Sequence, residues 1–184
     1  MAQVYIGIGS NLQREYSLCR GISLLEQLFG PLKRSAIYQS EAVGFNGPDF
    51  YNLVAYFETS LSLVTLARVL RDIEYQCGRP RAAKKCSSRM LDIDLLLYDS
   101  MVCDAPCRLP RPEIAMNAFV LRPLAELAGE RVHPLTFCPL IQMWRQLEPT
   151  AIPLTRIDDS FLNHTSNDYV HYACDYPLPD SGTY

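Results

Sequence analysis

The chain has 184 residues, of which 48% are hydrophobic and 20% charged, with a net charge of −3 and seven cysteines. That length suits a single domain, and the composition excludes wholesale disorder. No apolar run approaches the ~18 residues that cross a bilayer, and the first residues lack the basic and long apolar regions of a secretory signal. A cytoplasmic protein with reduced thiols and no membrane contact is therefore expected. The charge is uneven. Five aspartates and no Lys or Arg follow Arg156, whereas residues 78–89 hold Arg79, Arg81, Lys84, Lys85 and Arg89 with no acid. A cationic loop on a mildly acidic body suits a local anionic ligand, not a nucleic-acid surface.

Residues 4–8 form a short apolar, β-branched run and read as a strand. Ser10 and Asn11 can cap a helix in which Leu18, Ile22, Leu25 and Phe29 recur at helical spacing, and Gly30-Pro31 stops it. Residues 32–40 read as a second strand, 41–49 as a glycine-containing loop, and 50–59 as a third strand rich in aromatics. Ser62 caps a second helix with Leu63, Leu66, Leu70, Ile73 and Cys77 on one face. The cationic loop follows, then a fourth strand over 90–98. Strand, helix, strand, strand, helix, strand is the βαββαβ order of a ferredoxin-like α+β sandwich. Val102 can start a further short strand. Short helices are expected near 119–127 and 140–147. The catalytic body is expected to span 1–157, with 158–184 an acidic tail lacking apolar periodicity.

The sharpest feature is Leu91-Asp92-Ile93-Asp94-Leu95. Alternate strand residues share a face, so Asp92 and Asp94 stand roughly 6–7 Å apart on one side of the sheet. Two carboxylates that close repel each other among leucines. A divalent cation relieves that cost, and Mg²⁺ suits one or two carboxylates plus substrate phosphates. The ordinary alternative is a solvent-facing strand edge. Arginines just upstream favour phosphate chemistry, because a guanidinium grips phosphate bidentately. Neither a P-loop nor a Rossmann glycine motif is present.

Three stretches carry a resemblance to a known family. They are Tyr5-Ile6-Gly7-Ile8-Gly9-Ser10-Asn11-Leu12, Pro48-Asp49-Phe50-Tyr51-Asn52, and the segment from Gly78-Arg79-Pro80-Arg81 to Arg89-Met90-Leu91-Asp92-Ile93-Asp94-Leu95-Leu96. Over roughly residues 3–147 the sequence resembles 6-hydroxymethyl-7,8-dihydropterin pyrophosphokinases. The resemblance implies transfer of pyrophosphate from ATP to a reduced hydroxymethylpterin, with release of AMP, in folate biosynthesis. It implies two Mg²⁺ ions on Asp92 and Asp94, and phosphate-stabilising roles for Arg79 and Arg89. Glu74, Arg81, Lys85 and Leu95 would serve ATP. Phe50 and Phe119 would sandwich the pterin, Asn52 would read its polar edge, and Ser40, Val43 and Gly44 would complete that edge. A monomer acting on small molecules is expected.

The sequence departs from the family pattern at Cys86 and Ser87 in the cationic loop, at Ser40-Glu41-Ala42, at Arg111 where a histidine is common, and at Asn117 where an arginine is common. Two other readings stay open at this level. One is a diverged homologue that binds pterin or nucleotide as a regulatory module. The other, weaker, is a ferredoxin-like RNA-binding module that uses the cationic loop.

Overall fold

The computed structural model describes residues 1–80 and 87–163. Its strands are β1 (Ala2–Ser10), β2 (Lys33–Arg34), β3 (Ile37–Ser40), β4 (Phe50–Thr59), β5 (Asp92–Tyr98) and β6 (Thr155–Ile157). Its helices are α1 (Arg14–Phe29), α2 (Leu63–Gln76), α3 (Ala118–Ala128) and α4 (Leu140–Leu147). The sheet runs β5-β1-β4-β3-β6, with β2 beside β3 on the same partner strand, and the pairings are antiparallel. This is the ferredoxin-like α+β arrangement, with β6 added at one edge.

The expected second strand is split by its own side chains. Ser35 Oγ accepts the Val54 N–H at 3.0 Å, and the Ala36 N–H is drawn off to Glu126 Oε1 on α3, also at 3.0 Å. A serine that bonds backbone in place of the ladder interrupts regular pairing.

The start of α1 also differs from expectation. β1 continues through Ser10, and the helix opens after Gln13 with no side-chain cap. Asn11 is engaged elsewhere, as described below. Gly30 ends the helix at φ 78°, a conformation that a residue with a Cβ rarely adopts. Ser62 does cap α2, accepting the Thr65 N–H, and the expected apolar face is buried. Around Val102 the expected strand reduces to a single bridge between Cys103 and Leu109.

Each sheet face carries its own core. Val4, Ile6, Ile8, Leu53, Ala55, Phe57, Ile93 and Leu95 pack under α1 and α2. Tyr5, Val54 and Leu96 pack on the opposite face with Ile114, Leu121 and Leu124 and with Leu140, Met143 and Trp144 of α4. Each fully buried leucine or isoleucine stabilises by about 1.5–3 kcal/mol. The fold continues beyond the expected boundary at 157. Residues 160–163 form a 3-10 turn against α1, with Phe161 buried and its carbonyl accepting from Cys19 Sγ at 3.5 Å.

Candidate active site

The register of the sheet assembles the site. Asn52 on β4 lies opposite Gly9 on β1, and Gly9 lies opposite Asp92 on β5. One step along, Val54, Gly7 and Asp94 line up in the same way. Directly opposed residues share a face, so Asp92, Asp94, Asn52 and, by alternation, Phe50 all project from the α3/α4 side. Between them the middle strand presents only glycines. A Cβ at Gly9 would sit 3.1 Å from Asn52 Oδ1 and 3.6 Å from the Phe50 ring. The result is a trough, with carboxylates along one wall and an amide and an aromatic ring along the other. The sequence marks Gly9 only as a strand breaker; its role becomes visible once both neighbouring registers are known.

The carboxylate wall is densely paired. Asp92 Oδ1 accepts from Arg89 Nη1 at 2.6 Å and from Arg79 Nη1 at 3.2 Å. The same Arg79 nitrogen donates to Glu74 Oε1 at 2.8 Å, and Glu74 Oε1 also accepts the Ile93 N–H at 2.9 Å. Arg71 pairs with the other Glu74 oxygen at 3.1 Å. Glu74 is thus a buried carboxylate, 2% exposed, that clamps α2 to β5 and aims Arg79. Burial pushes it up to about 7, although the Ile93 N–H and Arg79 oppose the rise. Asp94 Oδ1 accepts from Arg111 Nη2 at 2.8 Å. Desolvation first, and the neighbouring Asp92 charge second, push Asp94 up to about 6 against the pull of Arg111.

Among the described residues, no cluster of three or more His, Cys, Asp or Glu forms a self-sufficient metal cage. Asp92 and Asp94 offer hard oxygen donors on one face. That donor set fits Mg²⁺, which completes its shell with water and substrate phosphates.

The opposite wall is also organised. Asn52, 8% exposed, donates from Nδ2 to Ser40 Oγ at 3.0 Å. Phe50 meets Phe45 edge to face, with centroids 6.3 Å apart. Gly44 takes φ 84° in the loop after β3, beside the exposed Val43. Phe119 is half-buried in the first turn of α3, the helix that packs on this face. Asn11 ties the two walls together. Its Nδ2 donates to Pro48 O and Ser88 Oγ, each at 3.1 Å, and its Oδ1 accepts the Arg89 N–H at 2.7 Å.

Residues 5–129 match the sequence profile of 7,8-dihydro-6-hydroxymethylpterin-pyrophosphokinase. The chain belongs to this pyrophosphokinase family. It is 34% identical over 143 residues to the 2-amino-4-hydroxy-6-hydroxymethyldihydropteridine pyrophosphokinase of Aquifex aeolicus, an alignment covering 76% of this chain and 89% of that one. It is 31% identical to the folic acid synthesis protein fol1 of Schizosaccharomyces pombe over 82% of this chain but only 21% of that protein. In three dimensions it resembles the HPPK-DHPS of Plasmodium falciparum crystallised with pteroate, with a TM-score of 0.65 at 11% identity. That likeness, which shows the fold, covers 79% of this chain and 42% of the other. The chain thus spans most of the Aquifex pyrophosphokinase and less than half of the Plasmodium chain.

Within this pyrophosphokinase fold, Arg79, Arg89, Asp92 and Asp94 come together at one wall, and Ser40, Phe50 and Asn52 at the other. Leu95 does not join them, because its side chain lies in the core under α1 and α2. Glu74 faces Arg79 and β5 from a fully buried position. Arg81, Lys85 and Cys86 lie outside the described residues. Two residues missed at the sequence level complete the picture: Asn11, which reads there as a helix cap, and Glu113, whose Oε2 stands 3.2 Å from Arg111 Nε.

Proposed function

We propose that this protein transfers pyrophosphate from ATP to the hydroxymethyl group of 6-hydroxymethyl-7,8-dihydropterin, releasing AMP, as a step of folate biosynthesis. The observation that carries the reading is the two-walled trough. Carboxylates and arginines stand across a glycine floor from Phe50 and Asn52, in a chain of the pyrophosphokinase family. A flat pterin with a dense donor and acceptor edge suits a ring to stack on and an amide to read. A triphosphate suits the wall bearing Arg79 and Arg89.

In this reading Asp92 and Asp94 hold two Mg²⁺ ions, which supply charge neutralisation along the triphosphate. Phe50, with Phe119 on the other side, orients the pterin ring, and Asn52 with Ser40 and the backbone near Val43 and Gly44 fixes its polar edge. That places the hydroxymethyl oxygen toward the carboxylate wall. Its attack on the β-phosphorus forms the new O–P bond as the bond from that phosphorus to the α,β-bridging oxygen breaks; the oxygen leaves with AMP and the hydroxyl proton is released to water. Arg79 and Arg89 leave Asp92 to bind oxygens of the moving pyrophosphoryl group, where planar donors stabilise the charge that develops. Arg81 and Lys85 are assigned to ATP as well. Glu74 acts through Arg79 by holding its guanidinium at the edge of the trough.

The test is an AMP-release assay with ATP, Mg²⁺ and the reduced hydroxymethylpterin, each omitted in turn. AMP is expected only with all three. A folded protein that binds ATP and Mg²⁺ yet releases no AMP in the complete mixture would overturn the reading in favour of a binding homologue.

A further inference from the structure

Arg111 is built into the metal-binding wall in a way that catalysis alone does not require. Its backbone N–H donates to Leu96 O at 3.0 Å, which fastens the residue beside β5. Proline stands on both sides of it, at 110 and 112. Proline restricts its own φ and the backbone of the residue before it. From this fixed base the side chain reaches back along the strand to Asp94 Oδ1. Its Nε lies 3.2 Å from Glu113 Oε2 but forms no aligned hydrogen bond there, although the atom is buried. The guanidinium is therefore pinned by charge while one donor goes unsatisfied. Arg79 and Arg89 occupy Asp92 Oδ1 in parallel. Both carboxylates that would ligate a cation are thus already neutralised by arginines.

Resting on the metal assignment made above, we propose that Arg111 is a resident counter-cation on Asp94. It keeps the carboxylate pair unattractive to a free divalent ion until a polyphosphate draws the guanidinium away. The physical basis is a competition. A divalent ion arriving alone must displace Arg111 and stand close to a fixed positive charge. A nucleotide phosphate offers that guanidinium a bidentate partner and supplies further oxygen ligands to the ion. Cation binding is consequently coupled to nucleotide binding. By reciprocity, the nucleotide tightens the cation by the same factor as the cation tightens the nucleotide.

The test is Mn²⁺ binding to the full chain, followed by electron paramagnetic resonance, with and without a non-hydrolysable ATP analogue. Wild type, Arg111→Met, Arg111→Lys and Asp94→Asn are compared. Removing a unit charge beside a divalent site is expected to tighten Mn²⁺ in the absence of nucleotide by about tenfold. Arg111→Met should also shrink the enhancement given by the analogue. Arg111→Lys, which keeps the charge, should stay near wild type without nucleotide. A purely structural role for Arg111 would weaken binding under both conditions in Arg111→Met. That result, or Mn²⁺ affinity unchanged in Arg111→Met, overturns the proposal while Asp94→Asn still abolishes binding. If Asp94→Asn leaves Mn²⁺ binding intact, the metal assignment itself fails and the counter-cation role falls with it.

Discussion

Asn11 uses both ends of its amide to join segments that are far apart in the chain: the loop before β4, through Pro48, and the turn before β5, through Ser88 and Arg89. At 3% exposure it has little water to fall back on. Asn11→Ala leaves the Arg89 N–H and the Pro48 carbonyl without these partners. The expected cost is about 1–3 kcal/mol, read as a lower midpoint in urea denaturation with an unchanged slope. Asn11→Asp keeps the acceptor for Arg89 but sets a buried carboxylate oxygen against the Pro48 carbonyl, so its loss should be at least as large as that of Ala. An equal midpoint for all three chains would remove Asn11 from the frame of the site. In the proposed reaction Asp94 is a metal ligand. Asp94→Asn keeps the shape and removes the charge, and it is expected to lower AMP release by at least about a hundredfold. Retained turnover at low Mg²⁺ would contradict its role as a ligand.

At the scale of elements, α2 was legible in the sequence because Ser62 and the Leu63, Leu66, Leu70, Ile73 stripe obey local rules, and the aspartate pair was legible because strand alternation alone puts both on one face. The trough was not, because Gly9 acquires its meaning only from its register against β4 and β5. The break between β2 and β3 was hidden for a similar reason: the group that draws off the Ala36 N–H belongs to Glu126, 90 residues away. The turn between α3 and α4 gives a further element-scale prediction. His133 is buried, and its Nδ1 accepts from the Leu135 and Thr136 N–H groups at 3.4 and 3.3 Å. Burial lowers its proton affinity below the ordinary value of 6.5. The unfolded chain then binds the proton more readily than the folded one. The contribution of His133 is complete above pH 6.5 and declines as the pH falls below it. Glu74 has the opposite sign: held near 7 by burial, it costs stability as the pH rises from 4.5 toward 7. Asp94, pushed up to about 6, acts in the same sense as Glu74, so the wild-type slope mixes all three and a difference measurement is needed. His133→Asn keeps an acceptor for the turn without a titrating ring. The signed stability gap, pH 8 minus pH 5.5, should be lower in His133→Asn than in wild type, as read by urea denaturation. Identical gaps would mean that the imidazole does not titrate with folding.

On the scale of the whole molecule, one sheet separates two cores, and the site opens on the face that α3 and α4 only partly cover. α1 and α2 stabilise that sheet from the other side. The C-terminal part of the described chain adds to this rear core. β6 pairs with β3, and the turn at residues 160–163 then lays Phe161, 9% exposed, against the helix layer. A sequence reading that looks for periodicity cannot see one aromatic in an otherwise polar and acidic stretch. If Phe161 belongs to the body, Phe161→Ala should cost about 3 kcal/mol, the usual range for removing a buried phenylalanine ring. The loss should appear as a lower urea midpoint. AMP release at saturating substrates, assayed well below the unfolding transition, should stay at the wild-type rate, because the ring lies on the side of the sheet away from the trough. A chain ending at residue 157 should lose at least as much stability as Phe161→Ala and keep the same turnover. A midpoint unmoved in both variants would return residues 158–163 to the status of an appendage. A turnover lost with little change in midpoint would show instead that the two faces of the sheet communicate through α1 and β1.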